Sequence, residues 1–151
     1  MTTTVHGIEG FHKLVGEHIG WSEWLVVDQE RVNLFADATD DHQWIHVDPE
    51  RAKDGPFGGA IAHGYLTLSL APVLLQQVWK VEGMAMGINY GCNKVRFPSP
   101  VKVGSRLRLG ASVASVEDTP GGVQVTLDLT LETEGSDKPS CVAQVVYRYF
   151  T

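Results

Sequence analysis

A chain of 151 residues, 43% hydrophobic and 20% charged, has the balance of a soluble globular protein and the length for one well-formed core. Its formal net charge of -6, without a basic cluster, argues against nucleic acid as a partner, because such binding depends on neutralising phosphates. No apolar run approaches the roughly 18 residues that span a bilayer. The opening Met1-Thr2-Thr3-Thr4 lacks the basic-then-apolar layout of a secretory signal. Cys92 and Cys141 make no disulfide framework, so no membrane association and a cytoplasmic location are expected.

Ile8, Phe11, Leu14 and Val15 predict a short amphipathic helix from about Gly7 to Val15. Trp21, Trp24 and Val26 suggest a strand over 20–27, after which Asp28 is placed to cap a helix running to Thr39. A turn rich in acid and histidine follows, then a short helical piece opened by Asp48-Pro49, and the loop Gly55-Pro56-Phe57-Gly58-Gly59. From His63 to about Trp79 the chain is apolar almost all round, which predicts a helix of about 25 Å buried on every side and kinked at Pro72. Met84 to Phe97 reads as one long strand closed by Pro98-Ser99-Pro100. Leu107 to Val113 and Val123 to Leu131 alternate with period two, and Cys141 to Phe150, apolar on both faces, reads as a central strand. One buried helix followed by an antiparallel meander is an α+β chain, a long central helix wrapped by a curved antiparallel sheet: the hot dog architecture, expected as a single domain over 1–151.

The chemistry-bearing stretch is Asp41-His42-Gln43-Trp44-Ile45-His46, followed by Val47-Asp48-Pro49 and later by Ile61-Ala62-His63-Gly64. A carboxylate and an imidazole five residues apart, where a helical pattern stops, suit neither one helical face nor a strand. They suit a turn that aims both groups at one small object, read here as a water molecule. With Val95-Arg96-Phe97, Pro100-Val101 and Gly104, the stretch resembles the signature of the MaoC-like (R)-specific enoyl-CoA hydratases, from about Phe35 to Gly104. Gln43-Trp44 stands where that family usually has Asn-Pro, and Asp40 stands where Gly is usual.

The resemblance implies reversible hydration of a trans-2-enoyl-CoA to an (R)-3-hydroxyacyl-CoA, with coenzyme A as part of the substrate and no other cofactor. Asp41 and His46 are the expected catalytic pair. A histidine with a reference pKa near 6.5 holds or releases a proton near neutral pH, and the carboxylate can accept a hydrogen bond from the same water. Gly64 at the start of the helix offers an unpaired N–H to the thioester oxygen, while His63 and Gln43 are expected near it as substrate-binding groups. Lys94 and Arg96 are candidates for the CoA phosphates, with Lys102 and Arg106 as alternatives. No histidine pair with a third ligand suggests a metal. His42 is expected to face solvent, and His6, His12 and His18 to be incidental. A homodimer is implied, its sheets joined edge to edge. Two other readings stay open: a hot dog acyl-CoA thioesterase, and a non-catalytic subunit that binds acyl thioesters.

Overall fold

The β-branched run Thr3-Thr4-Val5 opens a strand, β1 (Thr3–His6), in the computed structural model, which describes residues 2–151. Helix α1 (Gly7–His12) follows and buries Phe11; it stops short of the expected Val15. Next come β2 (His18–Trp21), β3 (Leu25–Val27) and α2 (Gln29–Thr39). The one strand expected over 20–27 is therefore two, and Ser22 is the cause. Its N–H donates to the Leu109 carbonyl at 2.7 Å, while its hydroxyl oxygen accepts from the Leu109 N–H at 2.9 Å. A side-chain oxygen takes the place of a ladder carbonyl, and the chain leaves the sheet at Glu23.

The predicted cap of α2 is present: the Asp28 carboxylate accepts from the Arg31 N–H at 2.9 Å. The helix ends at Asp40 in the left-handed region (φ 60°, ψ 20°), the conformation that glycine adopts most cheaply. Left-handed backbone costs a non-glycine residue roughly 1–2 kcal/mol, and glycine returns about 0.5–1 kcal/mol of that through its unfolded-state entropy. Asp40→Gly is expected to raise stability by about 0.5–1 kcal/mol. A urea midpoint that moves up at constant slope checks this, and a lower midpoint contradicts it.

Two one-turn helices follow, α3 (Trp44–Val47) and α4 (Pro49–Ala52); the Asp48 carboxylate caps the second through the Arg51 N–H at 3.1 Å. Sequence periodicity missed α3, which is too short to carry a period. The long apolar segment forms α5 (Gly64–Ser69) and α6 (Ala71–Val78), joined through Leu70. The break falls where expected, since Pro72 has no N–H to give the preceding turn.

Strand β4 (Trp79–Glu82) pairs in parallel with β1, a small sheet that the sequence reading missed. The main sheet contains β5 (Met86–Arg96), β6 (Ser105–Thr119), β7 (Gly122–Thr133) and β8 (Cys141–Phe150), ordered β2-β6-β7-β8-β5 with β3 also on β6. Every pairing in it is antiparallel, and β8 lies between β7 and β5 as its two apolar faces predict. Leu107, Leu109, Leu127, Leu129 and Leu131 meet Leu74, Leu75 and Val78 of α6 in one core.

The expectation that the helix is buried on every side fails. Leu66, Leu70, Leu74 and Val78 are buried, whereas Tyr65, Ser69, Val73 and Gln76 are exposed. That open face looks across two cavities, of about 260 and 360 Å³, toward β5, whose residues are exposed except for a half-buried Val95. Among the described residues no helix is long and apolar enough to cross a membrane.

Candidate active site

Three short segments converge: the turn that carries Asp41, helix α3 that carries His46, and the entry to α5 with His63 and Gly64. Backbone bonds tie them together. The Gln43 carbonyl accepts from the His46 N–H at 3.0 Å and so starts α3, and the Ile61 N–H donates to the Ile45 carbonyl at 3.0 Å. From α2, the Gln29 side-chain amide donates to the His46 carbonyl at 2.7 Å.

His46 is buried, and its Nδ1–H donates to the Ile61 carbonyl at 2.6 Å. That bond fixes the tautomer and leaves Nε2 with a free lone pair, the form of a general base. His63, also buried, stacks on it with ring centroids 3.8 Å apart and planes 23° off parallel. His63 Nε2–H donates to the main-chain carbonyl of Asp41 at 2.9 Å, and its other face meets Phe35 at 4.9 Å. Its Nδ1 is buried with no hydrogen-bond partner among the described residues. His63 thus serves to hold the Asp41 backbone, beside the substrate role that the sequence suggests for it.

The donor atoms of Asp41, His46 and His63 all lie within 4.8 Å of one another. One water can bridge such a set; a divalent metal ion could also occupy it, although the sequence points to none. Burial is the largest influence on His46 and pushes its pKa below the usual histidine value. The Ile61 carbonyl and the Asp41 charge act the other way, and the neighbouring His63 adds to the lowering.

His46 and Gly64 share a cavity of about 320 Å³ with Phe57, Ile61, Thr67, Phe97, Val101 and Ser140. Gly64 is the first residue of α5, so its N–H has no acceptor within the helix. Asp41 is exposed and forms no part of the cavity wall.

Several sequence expectations require correction. The exposed side chain of Gln43 neither lines the cavity nor makes a hydrogen bond among the described residues; its contribution is the carbonyl that starts α3. Lys94 and Arg96 pair in register with Gln144 and Val142 of β8, and Val95 between them faces the core with Ala143. Strand alternation therefore turns both cations to the outer face of the sheet, away from His46. Arg106 is paired with Glu134 at 3.1 Å and stands over Trp24. Lys102, which approaches the Gly58 turn next to the cavity loop, is the better placed cation. Trp44 packs on Gly55 beneath the Arg51 guanidinium, 4.3 Å from its ring centroid, and does not close the cavity. His42 does face solvent, where a hydrogen bond to Asp37 at 2.9 Å raises its pKa. His6 and His12 are surface partners of Glu82 and Asp118. The reading of the sequence gave no place in the site to Gln29, Phe57, Phe97 or the Ile61 carbonyl. Only Phe97, ahead of a Pro-Ser-Pro strap, carried a local signal.

The sequence profile of the MaoC like domain matches residues 10–134. The 3-hydroxyacyl-thioester dehydratase Z of Mycobacterium tuberculosis is 55% identical over 147 residues, covering 97% of each chain. Nodulation protein N of Rhizobium leguminosarum is 48% identical over 133 residues, 85% of this chain and 82% of its own. Among solved structures, a monoamine oxidase regulatory protein from Archaeoglobus superposes with a TM-score of 0.80 at 27% identity, covering 100% of this chain and 99% of the other. R-hydratase PhaJ1 from Pseudomonas aeruginosa superposes with a TM-score of 0.73 at 24% identity, covering 92% and 84%, and shares the fold. With this fold, the profile match and the mycobacterial relative together, the chain belongs to the MaoC-like domain family and is an enzyme of its hydratase and dehydratase class, a carbon–oxygen lyase.

Proposed function

We propose that the enzyme hydrates trans-2-enoyl-CoA to (R)-3-hydroxyacyl-CoA and dehydrates the product in reverse, with water held between Asp41 and His46. The observation that carries this reading is the state of His46: Nδ1 is committed to Ile61, Nε2 is left basic, the residue lines the cavity that contains Gly64, and a ring nitrogen lies within 4.8 Å of the Asp41 carboxylate. Water gives a proton to Nε2 as its oxygen bonds to Cβ. The double-bond electron pair moves toward the thioester oxygen, where the Gly64 N–H stabilises the developing charge. Asp41 accepts a hydrogen bond from the water and takes part in returning a proton to Cα. Water adds whole, so the step needs no oxidant or reductant, and coenzyme A enters as part of the substrate. The dehydratase name of the mycobacterial relative supports a 3-hydroxyacyl thioester as the other side of the equilibrium. The (R) outcome comes from the family resemblance. Lys102 is the cation we assign to the CoA phosphates, and fatty-acid metabolism in the cytoplasm is the setting that this substrate implies.

We further propose a homodimer. The exposed eleven-residue strand β5 is paired with β8 on one side only, so its free edge invites a further strand, and it adjoins the open face of the helix.

Crotonyl-CoA tests the reaction through loss of enoyl absorbance and a parallel assay of free thiol. Absorbance loss without thiol, giving one 3-hydroxybutyryl enantiomer, is expected. Thiol release would make the protein a thioesterase, and inertness toward crotonyl-CoA and longer enoyl-CoAs alike would leave it a binding subunit. The pH dependence follows from the sign of the His46 shift. A base with a lowered pKa stays neutral to lower pH, so kcat/KM should hold through neutrality and fall only below the ordinary histidine value of 6.5. Stability moves the same way: the unfolded chain takes up the proton first, so the contribution is complete above 6.5 and is lost as pH falls below it. An acid limb centred above 6.5 would remove His46 as the base.

A further inference from the structure

We infer that Phe97 walls the Gly64 amide off from water, and that position 64 lacks a side chain because this ring occupies its place. The contact stands by itself; its consequence for turnover rests on the hydratase reading. A Cβ built on Gly64 would lie 3.0, 3.1 and 3.3 Å from Cδ2, Cε2 and Cγ of Phe97. Gly64 is helical and is not one of the glycines with positive φ, so space and not backbone conformation calls for glycine here. The sequence alone offered Gly64 as a backbone N–H at the start of the helix. In the fold, the space that a side chain at position 64 would fill holds an aromatic ring, which forms part of the cavity wall beside Gly64.

The ring is held in place. Pro98 and Pro100 fix φ on either side of Ser99, whose hydroxyl lies 3.2 and 3.1 Å from the carbonyls of Lys138 and Pro139. The strap is tied to the catalytic side by the Ala62 N–H, which donates to the Val101 carbonyl at 2.8 Å. Tyr65 meets Phe97 edge-on with centroids 6.3 Å apart. Phe97 remains 41% exposed, so the ring separates solvent from the amide and is not a core residue. A donor shielded in this way is not spent on bulk water. It acts more strongly on charge that develops in the transition state, because the local dielectric is lower.

Two independent readouts test this in the full-length protein. The first is hydrogen exchange of the Gly64 amide by NMR, compared among wild type, Phe97→Ala and Phe97→Leu at one pH. Exchange at least tenfold faster in Phe97→Ala, with Phe97→Leu restoring most of the protection and neighbouring amides unchanged, is expected. Unchanged exchange in folded Phe97→Ala overturns the proposal whatever the enzyme does. The second is crotonyl-CoA turnover: kcat at least tenfold lower in Phe97→Ala with KM within about threefold, and largely recovered in Phe97→Leu. If wild type turns the substrate over and Phe97→Ala keeps its kcat, the ring has no catalytic part and the proposal fails. If wild type turns over no enoyl thioester, the hydratase reading fails, and the exchange result still judges the wall. The seat itself is read from melting temperatures. Gly64→Ala should cost stability in the wild-type chain and clearly less beside Phe97→Ala, and equal costs would show that the ring does not claim that space.

Discussion

Replacing His46 by Gln should lower crotonyl-CoA hydration at least a hundredfold, and Asp41→Asn should do the same. Positioned acid–base groups contribute about 10²- to 10⁴-fold. Glutamine has no basic lone pair at the position of Nε2, and asparagine keeps the shape of Asp41 without its charge. The two variants should differ in stability. Asp41 is exposed, so Asp41→Asn should melt with the wild type. His46 is buried, stacked on His63 and bonded to Ile61, so its loss leaves a carbonyl without its donor unless the glutamine amide reaches it. That costs about 1–3 kcal/mol. Turnover must therefore be measured well below the melting temperature of His46→Gln. Activity within threefold of wild type in either variant would end the assignment of this pair.

The second large effect concerns assembly. Met86 and Ile88 stand on the free edge of the sheet and are 57% and 41% exposed. Lysine at both places sets like charges along the edge that a second copy would have to cover, a device that natural sheets use against pairing. The double variant Met86→Lys, Ile88→Lys should sediment as a single 16.5 kDa chain where the wild type sediments at twice that mass. Turnover should drop at least tenfold, since the open helix face beside the strand would lose its cover. A wild-type monomer, or a variant that stays dimeric, would refute edge-to-edge assembly through this strand.

Much of the fold was legible because its signals are local or periodic. Alternation over 107–113 and 123–131 marked strands with one face in the core, and Asp28 and Asp48 marked helix starts through caps that need only three residues. Where the sequence misled, the deciding interaction was distant. Ser22 interrupts a strand through a partner 87 residues away. β1 exists because β4 lies beside it, and the open helix face depends on where the sheet ends. The same division runs through the site. Spacing and residue type singled out Asp41, His46 and Gly64, and the fold sets Asp41 near His46 and puts His46 and Gly64 on one cavity. Gln43 was read for its amide, whereas the contact the fold shows is made by its carbonyl, which accepts from the His46 N–H. Lys94 and Arg96 were misjudged because charge says nothing about which side of a strand it occupies until the register with β8 is known. Phe97 stood in the matched strand but received no role, because what it does depends on what it touches.

The carbonyl of Ile61 decides which nitrogen of His46 can exchange a proton, and a peptide oxygen belongs to no side chain. Substitutions at position 61 alter bulk and greasiness, yet the main-chain acceptor survives them. The assignment of acid and base is thereby insulated from most single-codon changes at the very position that enforces it. Variation there is free to reshape the cavity, which Ile61 also lines, while the proton inventory stays as it was.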